Sequence, residues 1–172
     1  AGLPRIQKKI DDLRGLGRNH FGLDVGGKRL GYCYVRKNAC SSFKKMFLDL
    51  SLHSADYHHD ERPIDFMRRH HRMNEKDFAH CDHIIFVYRD PIKRTLSMFR
   101  NKFIACTGAT DIHANFTKLE GTDPAEVSFR YFVEHYLLRR FSQLDRHVLP
   151  QSVHLRRTIY TDVIDVAELH TR

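Results

Sequence analysis

Lys37, Ser41 and Ser42, in the stretch YVRKNACSSFKK (residues 34–45), are the residue types of an anion cradle. A helix N-terminus presents unpaired N–H groups and about half a positive charge, which favours phosphate or sulfate there. Asn38, Ala39 and Cys40 are small enough to let an anion approach such N–H groups. The serines add hydroxyl donors, and Lys37 can reach over the anion as a point charge. The loop has no glycine and its lysine precedes the turn, so it departs from the nucleotide-binding pattern G-x-x-x-x-G-K-[ST]. Read alone, the segment fits a serine-capped helix beside a solvated lysine somewhat better.

A second segment changes that balance. VYRDPIKRTLSMFRNKF (residues 87–103) places Arg89 at the end of an apolar run and Ser97 eight residues later. Arginine at a strand terminus offers a planar donor fork matched to phosphate, and a serine hydroxyl can complete the grip. Taken together, the two segments fit one ligand with two separated phosphates.

These residues need elements to position them. RLGYCYV (residues 29–35) is aromatic and β-favouring, and it runs through the first loop into FKKMFLDLSL, where Phe43, Met46, Phe47 and Leu50 recur at helical spacing. HIIFVYR (residues 83–89) reads as a buried strand. Asp90 then serves as N-cap and Pro91 as the first helical residue, with Ile92, Leu96, Phe99 and Phe103 as the expected buried stripe. Repeated strand–turn–helix units predict an α/β fold with a parallel sheet and ligands at the carboxyl ends of its strands.

The remaining segments are read as follows. LPRIQKKIDDLRGLG has helical period, so residues 1–28 are expected to form an N-terminal helical arm, with VGGK as a turn, ahead of a core over residues 29–172. Together they make one domain of 172 residues. A short helix is expected around PIDFMRRHHRM, a loop or lid over residues 107–124, an amphipathic helix over DPAEVSFRYFVEHYLLRRF, a last strand within VHLRRTIYTDVI and a closing helical turn in DVAELHTR.

Lys and Arg exceed Asp and Glu by 29 to 21, a net charge of +8 with 13 histidines in reserve. That balance implies an anionic partner without choosing among nucleic acid, a phosphorylated cofactor, an acidic polysaccharide or a membrane surface. Four cysteines are too few for a disulfide scaffold, though one bridge could form. Neither HCDH (residues 80–83) nor His58 with His59 matches a standard zinc-ligand spacing, so no metal is expected. No apolar run reaches the ~20 residues of a membrane span, and no signal peptide is visible.

VRKNACSSFKK resembles the 5′-phosphosulfate loop of the Golgi-type carbohydrate sulfotransferases and their bacterial relatives, V-P-K-x-A-C-[ST]-x-[WF]-K-R. VYRDPIKRTLSMFRNKF is similar to their 3′-phosphate motif, R-D-P-x-x-R-x-x-S followed by an aromatic residue and R-x-K-F. SFRYFVEHYL, LDRHVLPQ and IYTDVIDVAEL resemble later segments of the family, so the likeness spans about residues 30–169. Two departures stand out: Arg36 replaces the family's proline, and Phe43 stands where tryptophan is frequent. The sequence stops soon after the last motif, which leaves open whether a final helix completes the acceptor cleft.

The resemblance implies a P-loop-like three-layer sandwich whose central parallel sheet is flanked by helices. It implies transfer of a sulfonate from 3′-phosphoadenosine 5′-phosphosulfate to an acceptor hydroxyl or amine, usually on a sugar, leaving 3′,5′-adenosine bisphosphate. By position, Lys37 would meet the 5′-phosphate and the bridging oxygen. Asn38, Ala39, Cys40, Ser41, Ser42 and Phe43 would cradle the 5′-phosphate, and Arg89 and Ser97 would hold the 3′-phosphate. Relatives often place a histidine base between the two loops, where this chain has His53, His58, His59, His70, His71 and His80; His70 or His71 is expected, with Asp60 or Glu61 as alternatives. Arg68, Arg69 and Arg72 read as a solvated helix face, or else as the path of an acidic acceptor. Such a cofactor accounts for the basic loops without nucleic acid. The cytoplasm is the expected compartment, the Golgi lumen being the alternative if an anchor preceded Ala1. A non-catalytic nucleotide-binding module and a basic nucleic-acid-binding protein are the rival readings.

Overall fold

The computed structural model describes residues 19–74 and 76–169, so the helix expected in the N-terminal arm lies outside the described residues. Among these, Asp90–Val153 form one compact unit, and the segments on either side form the other.

The second of these units contains the sheet. Strand β1 (His20–Val25) turns through Gly26 and Gly27 into β2 (Lys28–Cys33), with Val25 opposite Lys28. Both glycines have positive φ, 57° and 73°, as a two-residue hairpin turn requires. Strand β2 pairs in parallel with β3 (His83–Tyr88), and β3 in parallel with β4 (Asp162–Asp165), giving the order β1-β2-β3-β4. The sheet is therefore mixed rather than parallel. A two-residue turn can join only antiparallel neighbours, and the turn read in VGGK has a strand on each side. Phe21, Leu23 and Val25 alternate as a half-buried strand should, so β1 replaces part of the expected helical arm.

One face of the sheet is covered by α1 (Cys40–Leu50) and α2 (Pro63–His70). Phe43 and Phe47, four residues apart on α1, and Phe66 and Met67 on α2 pack against Phe21, Leu23, Tyr32, Tyr34 and Val87. The opposite face is lined by Ile84 with Met73 and Phe78, the latter on the 3₁₀ turn Asp77–His80, and with Cys81 and Tyr160 alongside. Among the described residues of this unit, that second face is met by a short 3₁₀ turn and loops. All four cysteines are free, and burial pushes the Cys33 thiol up to about 12.

The Asp90–Val153 unit is helical. Helix α3 (Pro91–Phe99) starts on Asp90, whose side chain accepts the Lys93 N–H at 2.8 Å, and continues as a π turn over Arg100–Ile104. Ile92, expected in the buried stripe, is 76% exposed; Met98, Phe99 and Phe103 make the core instead. The expected loop over residues 107–124 contains α4 (Thr110–Glu120), whose Ile112 and Phe116 are fully buried and which Gly121 ends in the left-handed region. Helix α5 (Phe129–Tyr131) passes into a π turn, Phe132–Tyr136, that buries Phe132 and Tyr136 against α4's apolar side.

Buried Arg94 ties α3 to the segment after α5. Its guanidinium donates to the carbonyls of Leu149 at 2.9 Å and His147 at 3.3 Å. Within that segment, the Asp145 carboxylate accepts from the His147 backbone and ring nitrogens at 2.8 and 2.6 Å. Burial pushes the Asp145 carboxyl up, but the hydrogen bond and charge of His147 outweigh it and hold the group below the usual carboxylate range.

Each unit has its own test by urea unfolding. Phe47→Ala and Phe116→Ala should each cost about 3–5 kcal/mol, whereas Ile92→Ala should stay within about 0.5 kcal/mol. A small effect at either phenylalanine would refute the core assignment. A depressed carboxyl contributes stability above its unfolded pKa of about 3.9 and loses it as pH falls through the lower folded value. The stability gap between wild type and Asp145→Asn should therefore narrow from pH 6 to pH 3; a constant gap would show that the pair is not electrostatic.

Candidate anion-binding loop

The loop between β2 and α1 adopts a conformation its sequence disfavours. Lys37 and Ala39 both have positive φ, 70° and 53°, although neither is glycine. Left-handed backbone costs a non-glycine residue on the order of 1–3 kcal/mol and persists only where its surroundings enforce it. Two contacts from β3 and its end do so. Asn38, fully buried, donates from Nδ2 to the Val87 carbonyl at 2.8 Å, and Arg89 donates from Nη1 to the Lys37 carbonyl at 3.1 Å.

The conformation leaves donors open. Asn38 N–H is taken by the Val35 carbonyl, and the N–H groups of Ser42 and Phe43 both go to the carbonyl of Ala39. The N–H groups of Ala39, Cys40 and Ser41 have no backbone partner among the described residues. They sit at the start of the eleven-residue α1, where the helix dipole adds positive potential. Alternating left- and right-handed residues at a helix start form a concavity of this kind for anions.

Each residue expected at the loop has a definite place. Ser41 and Ser42 are exposed with their hydroxyls outward, and Lys37 and Ala39 are half-buried. Phe43 is in the core, stacked on Tyr32 with ring centroids 4.0 Å apart, so its side chain packs and its N–H is spent. Cys40 leans on the same core. Asn38 latches the loop to β3 through its side chain. Arg36 is buried with its guanidinium over the Tyr34 ring, 5.5 Å from the centroid. Burial raises the Tyr34 hydroxyl to about 12, so that ring stays neutral beneath the arginine. Arg89 is brought to the loop; Ser97 is half-buried on α3 of the other unit.

The histidines lie elsewhere. His71 donates from Nδ1 to the Gly22 carbonyl at 2.8 Å, which leaves Nε2 to accept the Ser51 hydroxyl at 2.8 Å. Burial also holds His71 below the usual histidine range, so it is a neutral tie joining β1 to the end of α1. Ser51 is the C-cap of α1 and the anion loop is at its N-terminus. A helix of that length spans about 16 Å. His71 and neighbouring His70 are thus placed near the C-terminal end of α1, whereas the loop is at its N-terminus. Arg68 and Arg69 are occupied as well, the first by Asp65 at 2.8 Å and the second by Glu61 at 2.7 Å.

Loop geometry of this kind was not readable from residue types, because nothing local forces Lys37 and Ala39 into left-handed backbone. The readable signal was the pairing of an arginine-ended strand with a small-residue loop.

The model of the sulfotransferase family matches residues 25–168. No curated protein and no solved structure matches the chain. No helix among the described residues is long and apolar enough to cross a membrane.

If Arg89 holds the loop, Arg89→Ala should lower the stability of the ligand-free protein by about 1.5–3 kcal/mol, the usual worth of a hydrogen bond from a charged donor. Exposed Ser41→Ala should be neutral within about 0.5 kcal/mol. Equal effects in urea unfolding would mean that the latch does not exist.

Proposed function

The chain belongs to the sulfotransferase family, and we propose that it moves a sulfonate from 3′-phosphoadenosine 5′-phosphosulfate to a hydroxyl or amine of an acceptor, a carbohydrate first among them. The observation that carries this reading is the set of open N–H groups at Ala39, Cys40 and Ser41, held in a left-handed loop by Arg89 and Asn38. A 5′-phosphate fits that donor set, since it needs several N–H groups converging on one anion.

When bound, the cosubstrate supplies an activated sulfonate on a phosphate leaving group. Ala39, Cys40 and Ser41 would hold the 5′-phosphate through the backbone, with the Ser41 and Ser42 hydroxyls at its rim. Lys37 would lie against the bridging oxygen and offset the negative charge that collects there as the sulfur–oxygen bond breaks. The acceptor oxygen or nitrogen would form the new bond to sulfur as the bond from sulfur to the 5′-phosphate oxygen breaks in line with it, the acceptor proton passing to solvent and 3′,5′-adenosine bisphosphate leaving. Positioning and electrostatics supply most of the acceleration in transfers of this type. Arg89 and Ser97 are assigned to the 3′-phosphate by their place in the second motif. Phe43 and Asn38 support the cradle from beneath it. Neither His70 nor His71 is assigned the base role.

That last point favours one alternative, a module that binds the nucleotide without transferring sulfonate. Both readings share the first test. Thermal unfolding with 3′,5′-adenosine bisphosphate at 100 times its dissociation constant should add about 2.7 kcal/mol, a shift of several degrees. The increment should be absent with 5′-AMP at the same concentration and should vanish in Lys37→Ala. An equal shift with every anion would overturn the cofactor assignment. Sulfonate transfer to a panel of sugars then separates enzyme from module.

A further inference from the structure

The far end of α1 gathers three residues to which the proposed sulfonate transfer assigns no role. His53 and Asp56 flank one 3₁₀ turn, closed by the Asp56 N–H donating to the His53 carbonyl at 2.9 Å, and His70 ends α2. One donor atom from each of the three lies within 4.8 Å of the other two. His53 Nδ1 is 3.6 Å from the Asp56 carboxylate. Two liganding atoms about 2.0–2.2 Å from a tetrahedral zinc ion stand roughly 3.3–3.6 Å apart, so this pair is already near its bound separation.

Two independent features support a ligand there. The Nε2 atom of His70 is buried and has no hydrogen-bond partner among the described residues, a cost that coordination or a further contact would remove. The turn is also held in place from both sides. Arg69 on α2 donates to the Asp56 carbonyl at 3.0 Å, and the Ser51 hydroxyl accepts the His53 N–H at 3.0 Å. The His53 and His70 rings stack with centroids 4.6 Å apart, and exposed His53 has room to turn toward a shared ion.

We propose that His53, Asp56 and His70 form a binding site for a divalent transition-metal ion, zinc first. Two imidazoles and one carboxylate are ligands of intermediate softness, suited to zinc rather than to magnesium or calcium. His71 cannot be a fourth ligand, because both of its ring nitrogens are committed to Gly22 and Ser51. The site therefore has three protein ligands and one open position. A cavity of about 110 Å³, lined by His53, His70, Arg29 and Arg72 among others, adjoins the cluster and gives room for water there.

The test is calorimetric titration of the chelator-stripped full chain with zinc chloride, repeated with cobalt(II) followed by visible absorption. One equivalent should bind. Asp56→Asn, an isosteric change at an exposed position, should weaken binding by more than the roughly 10–100-fold that an outer-shell change costs. His70→Ala should do the same, while the double change His58→Ala with His59→Ala should leave binding intact. Absence of a one-equivalent site overturns the proposal, as does binding that survives Asp56→Asn or depends on His58 and His59.

Discussion

The anion loop exists in its observed shape because the end of β3 holds it. Lys37 and Ala39 would each relax to right-handed or extended backbone if the chain there were free. The buried amide of Asn38 on the Val87 carbonyl and the guanidinium of Arg89 on the Lys37 carbonyl prevent this. Strain is thus stored where a ligand would use it, and three N–H groups at the start of α1 stay open as a result. Arg89, read from the sequence as a phosphate ligand, is a structural part of the first loop: the shape of that loop depends on the strand that ends at the second motif.

Two separate apolar cores set the rest of the frame. In the sheet unit, Phe43 and Phe47 anchor α1 on Tyr32 and Phe21, which fixes the direction in which the helix presents its N-terminus. In the helical unit, π turns at Arg100–Ile104 and Phe132–Tyr136 rotate successive aromatic rings into one cluster. Arg94, five residues beyond Arg89, shows how a single motif divides its labour. One arginine serves the loop and the other braces the segment around His147 and Leu149. Its side chain is buried among carbonyls, so its charge is not on offer to a ligand.

The basic composition has a similar resolution. Arg62 and Arg68 share Asp65, Arg69 meets Glu61, Arg139 meets Glu120 and Arg146 meets Asp111. These five arginines are thus held in local pairs, which contribute little individually at an exposed surface and nearly cancel in the net charge, so most of the excess of +8 lies outside them. The histidines follow a different logic. Three of the 13 collect at the C-terminal end of α1, where His71 makes a neutral hydrogen-bonded joint and His53 and His70 face Asp56.

The sequence by itself determined the elements whose signal is local. The apolar run of β3, the Asp90 cap with Pro91, the helical spacing of Phe43 and Phe47 and the anion-loop residue types all follow from neighbours in the chain. Strand β1 and helix α4 were also written there, in the alternation of Phe21, Leu23 and Val25 and in the four-residue spacing of Ile112 and Phe116, but turn residues nearby masked both. Only the tertiary structure decided the rest. Ile92 lies outside the core, in the first turn of α3, whereas Phe99 and Phe103 of the same expected stripe are buried. Lys37 and Ala39 are left-handed because groups about 50 residues away hold them so. His70 and His71, which precede β3 in sequence, stand at the opposite end of α1 from the loop. The physical reason is the same in each case: hydrophobic periodicity reports a residue's own helix or strand, whereas strain, latching and the meeting of side chains depend on which distant backbone groups the packed core brings within hydrogen-bonding reach.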